Sequence, residues 1–587
     1  MKRAVVFLFL VPFIAGARPR AAQQPPQADK AEQKTDEKSD DGYPVTSDLV
    51  KRKCSTCHRP DEKGRLSRIS FRRTTPEGWE QTIKRMVSLN NLKIEPADAR
   101  EVLRYLADHQ GLAPEEADPA AFEVERRQDD FTWASDKDDK DKKATEETCI
   151  ACHSIGRVLS QRRTKQEWEL LVAMHRGYYW LSDFQAFRRV GPPRREPGPD
   201  GRPPDNRQPM DVAIGYLSTA FPLTTPEWSA WAATKRPPQL QGTWALSGYQ
   251  LGKGPVFGQV RIASAGAPDS SEFTTETTYT IPSTGEQVKR TGKAIVYTGF
   301  QWRGRSTDAG NAHELREVMF VDRDWRHARG RWFTGAYDEL GLDVTLQRVG
   351  GDPVLSGAAT TVLLAPADGS AKQEVRLFGA NLPAQVAPAD LNFGPLVTVD
   401  RVVNATREEL TVEVSVAKGA APGRRSVFLA GATGSATVGV ANGIDFIKVM
   451  PKAGLARVGG ANFPKQFQQF EAVAYANGPD GKPDTKDDIE LGPVHAAWSI
   501  EEYTATFDDD DKTFVGTIDA TSGLFTPNLD GPNPNRRHHA NNYGDVWVVA
   551  TYEPKSAAEA PRPLKARAHL LVTVPLYMKF EQPEVAR

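Results

Sequence analysis

The sequence predicts a multidomain chain, an α-helical tandem domain followed by three antiparallel β domains of barrel, sandwich or immunoglobulin-like type. Three observations predict it. A length of 587 residues exceeds what one hydrophobic core fills. The stretch from Tyr43 to Pro222 repeats itself around two Cys-x-x-Cys-His pentapeptides. Near residue 237 the apolar spacing changes from helical to alternating.

The N-terminal segment MKRAVVFLFLVPFIAGA carries Lys2 and Arg3, then an apolar run from Ala4 to Ile14 and small residues at Ala15 and Ala17. The run is too short to cross a bilayer, so residues 1–22 read as a secretory signal peptide with cleavage after Ala17 or Ala22. Residues 23–42 are polar and charged, with almost no large apolar side chain to bury, and read as a flexible leader. Lys and Arg total 75 against 76 for Asp and Glu, so no global basic field invites nucleic acid, and proteins are the expected partners.

Residues 43–222 divide into two units, about 43–122 and 143–222. The first runs CSTCH, then FRRTTPEGWEQTIKRM (Phe71 to Met86), then PADAREVLRYLAD. The second runs CIACH, then QRRTKQEWELLVAMH (Gln161 to His175), then MDVAIGYLSTAF. Arg-Arg-Thr, Trp-Glu and Tyr-Leu recur in one order, which implies two copies of one fold. Val102, Leu103 and Leu106 have the spacing of a terminal helix packed on the cysteine-bearing one. Between the units, Glu125 to Thr148 is highly charged and reads as a solvated linker. Arg188 to Arg207, rich in Pro, Gly and Arg, reads as an ordered or semi-ordered loop, solvated or in contact with haem propionates or an acidic partner.

All four cysteines sit in the two pentapeptides, as Cys54 and Cys57 before His58 and Cys149 and Cys152 before His153. Two thiols one helical turn apart add to the two vinyl groups of a haem while the adjacent imidazole reaches the iron. A four-thiolate zinc site or redox disulfides would use the cysteines alone, but the histidine after each pair favours two covalently bound haem c groups. The units are thus cytochrome c folds in tandem. With Trp79 placed over Trp168, Met86 and His175 coincide, giving iron ligand pairs His58/Met86 and His153/His175. Met174, His109 and Met210 are lesser candidates for the distal positions, and Met86 could instead be core filling.

A short helical stretch at 225–234 precedes the β region. Residues 237–350 hold six segments of aromatic and β-branched residues at period two, among them GTWALSGYQ and RGRWFTGAYDE, and read as an antiparallel barrel-like domain. Residues 351–449 carry shorter strands at the spacing of an immunoglobulin-like sandwich, and 450–587 a C-terminal β-sandwich. Asp480, Asp484, Asp487 and Asp488 in the segment 477–492 could hold calcium but lack the EF-hand register, so a solvated turn is expected. Asp508 to Asp511 reads as an exposed acidic turn and His538-His539 as a surface pair. There is no Gly-rich phosphate loop, nucleophile elbow or HExxH motif, and no catalytic residue is assigned to this chain.

From Tyr43 onward the tandem CSTCH and CIACH units, the three β segments and the stretch YDELGLDVTLQR (Tyr337 to Arg348) resemble the α subunit of quinohemoprotein amine dehydrogenase. The resemblance implies a periplasmic heterotrimer that oxidises primary amines to aldehydes and ammonia. It implies a small subunit carrying cysteine tryptophylquinone, a β-propeller subunit, and electron flow through the α haems to an external copper protein or cytochrome. The sequence adds its own constraint: with every cysteine committed to haem, the quinone belongs on a partner, and this chain transfers electrons only. Rival readings are a di-haem peroxidase, which needs one open iron, and a di-haem electron carrier with β scaffold domains from another pathway.

Overall fold

In a computed structural model the chain is described for residues 41–575, apart from 118–132, 136, 154, 198–200, 202, 268, 309, 311–312, 366–371, 461, 505–508 and 556–558. The signal-peptide and leader segments lie outside the described residues, except at the leader's end.

The first repeat is built on α1 (Asp48–Cys54), α2 (Pro76–Asn90) and α3 (Pro96–His109), and the second on α4 (Lys140–Ile150), α5 (Lys165–Tyr178) and α6 (Pro209–Ala220). The starts of α2 and α5 are set by the same device. Thr75 and Thr164 are extended N-cap residues whose hydroxyls accept from the third amide onward, Gly78 and Glu167, each at 3.2 Å. Pro76 supplies a preset φ at the first turn of α2, and Asn91 ends that helix in the left-handed region at φ 58°. Trp79 and Trp168, one turn into these helices, are buried in separate cores with Val102, Leu103 and Leu106 on one side and with Ile155, Leu159 and Leu217 on the other.

The two recurring Arg-Arg segments pair with each other. Strands β1 (Arg72–Thr74) and β2 (Gln161–Arg163) run antiparallel with Arg73 opposite Arg162, Arg72 opposite Arg163 and Thr74 opposite Gln161. When Trp79 is placed over Trp168, Arg73 and Arg162 are counterparts, so the ladder maps onto itself when the repeats are exchanged. The tandem domain is therefore a covalent pseudo-dimer with a local two-fold axis through this arginine pair.

Residues 242–348 form a closed eight-stranded barrel, β3 (Gly242–Gln250) to β10 (Leu340–Arg348), each strand antiparallel to the next and β10 closing on β3. Alternation is complete in β5 (Glu272–Ile281), and the interior is filled by Trp244, Phe273, Trp302 and Trp332. The next domain stacks a five-stranded sheet on a four-stranded one, and the last combines three- and four-stranded sheets. Alternation carries no information on strand direction, and short parallel pairings occur here, among them Val354 with Thr433, Val362 with Gly439 and Ala453 with His569. They bring together strands far apart in sequence, which no local pattern announces.

The helical domain is seated on the barrel through buried polar contacts. Glu77, at the start of α2, is fully buried and paired with Arg303 of the barrel, its second oxygen 3.2 Å from Nη2. The amide of Thr298 donates to Asp108 at 2.5 Å and its hydroxyl to the carbonyl of Ala107 at 3.0 Å. All of these partners belong to the first repeat.

Candidate haem-binding site

Helix α1 ends at Cys54, and the amides of Cys57 and His58 donate back to the Cys54 carbonyl at 3.2 and 2.9 Å, so the pentapeptide is a tight turn continuing the helix. His58 donates Nδ1–H to the carbonyl of Ser67 at 2.8 Å, which fixes the ring and leaves Nε2 as the free donor atom an iron requires. Burial, the largest influence, lowers the His58 pKa and keeps the ring neutral. Cys149 lies one residue before the end of the second helix, α4, and His153 is half-buried.

The four thiols are unbridged. Burial, then the neighbouring cysteine, pushes Cys54 up to about 11 and Cys149 up to about 12, so neither is a ready thiolate. Among the described residues no cysteine belongs to a group of three or more close metal-ligating side chains, which disfavours a zinc cluster. Apolar surroundings suit a neutral thioether. The donor set therefore fits two covalently attached haems: Cys54, Cys57 and His58 would hold one, and Cys149, Cys152 and His153 the other.

Met86 and His175 occupy equivalent places in the second halves of α2 and α5, and both are half-buried. His175 donates Nδ1–H to the Leu171 carbonyl one turn back at 2.8 Å, again freeing Nε2, and burial lowers its pKa. Its ring lies 6.2 Å from Tyr179 and 6.0 Å from Phe187. The lesser candidates have other work. His109 stacks on Tyr105 at 4.2 Å and donates to its carbonyl, while Met210 is core, packed with Val172, Phe187 and Ala213. Met174 is half-buried beside His175.

The sequence singled out Arg-Arg-Thr only as a repeat marker; its role emerges in the seam between repeats. The fully buried Arg73 holds Glu116 with both terminal nitrogens at 2.8 and 2.9 Å, and Arg162 reaches the same carboxylate at 3.1 Å. These contacts overcome the burial of Glu116 and depress its pKa to about 2. Beside this seam, Arg68 donates to Glu167 at 2.9 Å and Arg163 lies 3.5 Å from it, so Glu167 joins the repeats a second time.

Other predicted sites resolve as structure. In the loop 477–492, Lys448 lies 3.1 Å from both Asp484 and Asp488, supplying the cation a calcium ion would have provided. Asp508 lies outside the described residues, and Asp511 corrects the expectation of an exposed acidic turn. It is buried, caps the backbone of Asp545 at 2.8 Å and is held by Arg536, because the strand beside it leaves an amide to satisfy. His538 and His539 are exposed with φ of 58° and 53°. In the arginine-rich loop, Arg207 spends its guanidinium on Asp141 and Asp205, each at 2.7 Å, and Arg194 and Asn206 bridge the loop's two limbs.

A tandem helical domain with two haem-attachment turns, carried on a barrel and two sandwiches, defines a multidomain haem-binding protein of the c-cytochrome type. Residues 45–191 match the haem-binding domain of the quinohemoprotein amine dehydrogenase α subunit, 237–349 its domain II, 362–442 its domain III and 447–585 its domain IV. The chain belongs to the quinohemoprotein amine dehydrogenase α-subunit family, and is a subunit of an oxidoreductase of several chains. No curated protein sequence matches it. Among solved structures, a redesigned β-barrel bound to DFHBI is 22% identical, covering 19% of this chain and 94% of its own, with a TM-score of 0.16. The titin immunoglobulin tandem A164–A165 is 10% identical, covering 38% and 98%, with a TM-score of 0.14. Among the described residues no helix is long and apolar enough to cross a membrane.

Proposed function

We propose that this chain is the di-haem electron-transfer subunit of an amine dehydrogenase acting in the periplasm. It accepts electrons singly from a cysteine tryptophylquinone on a small partner subunit and passes them to an external copper protein or cytochrome. A β-propeller subunit completes the assembly. The observation that carries the reading is the pair of haem-attachment turns within a chain whose domains match the family from residue 45 to 585. Haem supplies the one-electron chemistry. The protein's part would be to hold the haem irons through His58 and His153, with Met86 and His175 as the further candidate ligands, while the Trp79 and Trp168 cores exclude water.

The four cysteines leave none for the quinone, which supports placing it on another chain. Purification of the native complex with haem quantification and amine addition tests the proposal. Two haems on this chain, a small quinone-bearing partner and haem reduction by a primary amine are expected. Reduction absent with both partners present would overturn it, as would amine oxidation by the isolated chain.

A further inference from the structure

The two repeats differ in one respect that their shared pattern does not explain. In the first, the indole N–H of Trp79 donates to the carbonyl of Gln110 at 3.0 Å. In the second, the indole N–H of Trp168 is buried with no hydrogen-bond partner, as is Nε of Arg85, which reaches toward the second repeat from α2. A buried donor without an acceptor is destabilising, more so when charged, so two in one region call for an acceptor.

Charge points the same way. Arg85 lies within electrostatic range of Arg68, Arg163 and His175. The Arg163 guanidinium is 5.7 Å from the centre of the Trp168 ring. Three guanidinium groups here share one carboxylate, Glu167, which takes Arg68 and Arg163 and leaves Arg85. Trp168 packs in the core that also contains Cys149. The missing partner is thus an anionic oxygen acceptor next to the second haem-attachment turn, and a haem carries two such groups in its propionates.

We infer that Arg85 from the first repeat and Trp168 from the second together bind a propionate of the haem attached at Cys149 and Cys152, with Arg163 and Arg68 supplying the surrounding positive field. This rests on the haem reading of the second pentapeptide. The clamp spans the repeat boundary, so one haem is held by both repeats. A cation beside a haem stabilises the reduced, less positive form and raises its potential. Arg85 and Trp168 are positioning residues.

The test is spectroelectrochemical titration and resonance Raman of the full-length protein carrying Arg85→Gln, Arg85→Lys or Trp168→Phe, with haems counted by mass. Two haems should remain in every variant. R85Q and W168F should lower the same single redox wave and shift a propionate-bending band, and R85K should recover much of the potential. Two attached haems with both waves unmoved, or R85Q and W168F moving different waves, would overturn the clamp while leaving the haem reading intact. A wild-type chain with fewer than two haems would overturn the haem reading itself.

Discussion

The first repeat is welded to the β scaffold by a buried ion pair and two hydrogen bonds, whereas the second is held against the first repeat. Both have the same capped helix and the same buried tryptophan, yet Glu77, Asp108 and Ala107 of the first bind Arg303 and Thr298 of the barrel. The second is held mainly through the β1–β2 seam and Glu116. From the end of α5 onward it presents Tyr178, Tyr179, Trp180, Leu181 and Phe184 to solvent, Trp180 being 67% exposed. Duplication has copied the means of building a haem pocket, while each copy's neighbours have given it a different environment and a different surface.

Four perturbations break or sharpen that contrast. The largest effect is expected from Cys149→Ala with Cys152→Ala, which should remove one haem of two from the intact mass and leave the first repeat's haem attached; loss of both would make the repeats one pocket. Next, Glu116→Gln leaves Arg73 and Arg162 buried without their shared anion. Removing one partner of a buried pair costs about 3–5 kcal/mol, so denaturant unfolding should report a loss of that order in the tandem domain.

The same carboxylate makes the seam pH-dependent. Its folded pKa of about 2 lies below the unfolded 4.5, so its contribution is complete above about 4.5 and is lost as pH falls toward 2. Stability of wild type should fall through that window faster than that of E116Q, and parallel curves would refute the seam. Arg303→Met strands Glu77 in the barrel contact at a similar cost of about 3–5 kcal/mol, and hydrogen exchange should rise in α2 and α3 before α5. Trp79→Phe removes the bond to Gln110 and part of the packing under Arg72 and should cost about 1–3 kcal/mol, read as a shift in the unfolding midpoint.

The haem-binding character of the chain was legible because its chemistry is local: each Cys-x-x-Cys-His pentapeptide lies at one helix end and the turn that follows it. The barrel was legible because period two persists over long strands such as β5. Glu116 was not legible: nothing in its local sequence marks it, and its burial follows only from the meeting of Arg73 and Arg162 across the seam. Asp511 misled for the same reason, since its partner Arg536 is distant in sequence.

By itself the sequence determined the repeat, the two cysteine pairs of a haem-binding domain and the succession of helical and β domains, since these depend on spacing along a few turns of chain. Only the tertiary structure decided how the copies meet, which of them leans on the barrel and which buried donors lack a partner. Those outcomes depend on pairing and charge balance between residues far apart in sequence, and such contacts leave no period to read.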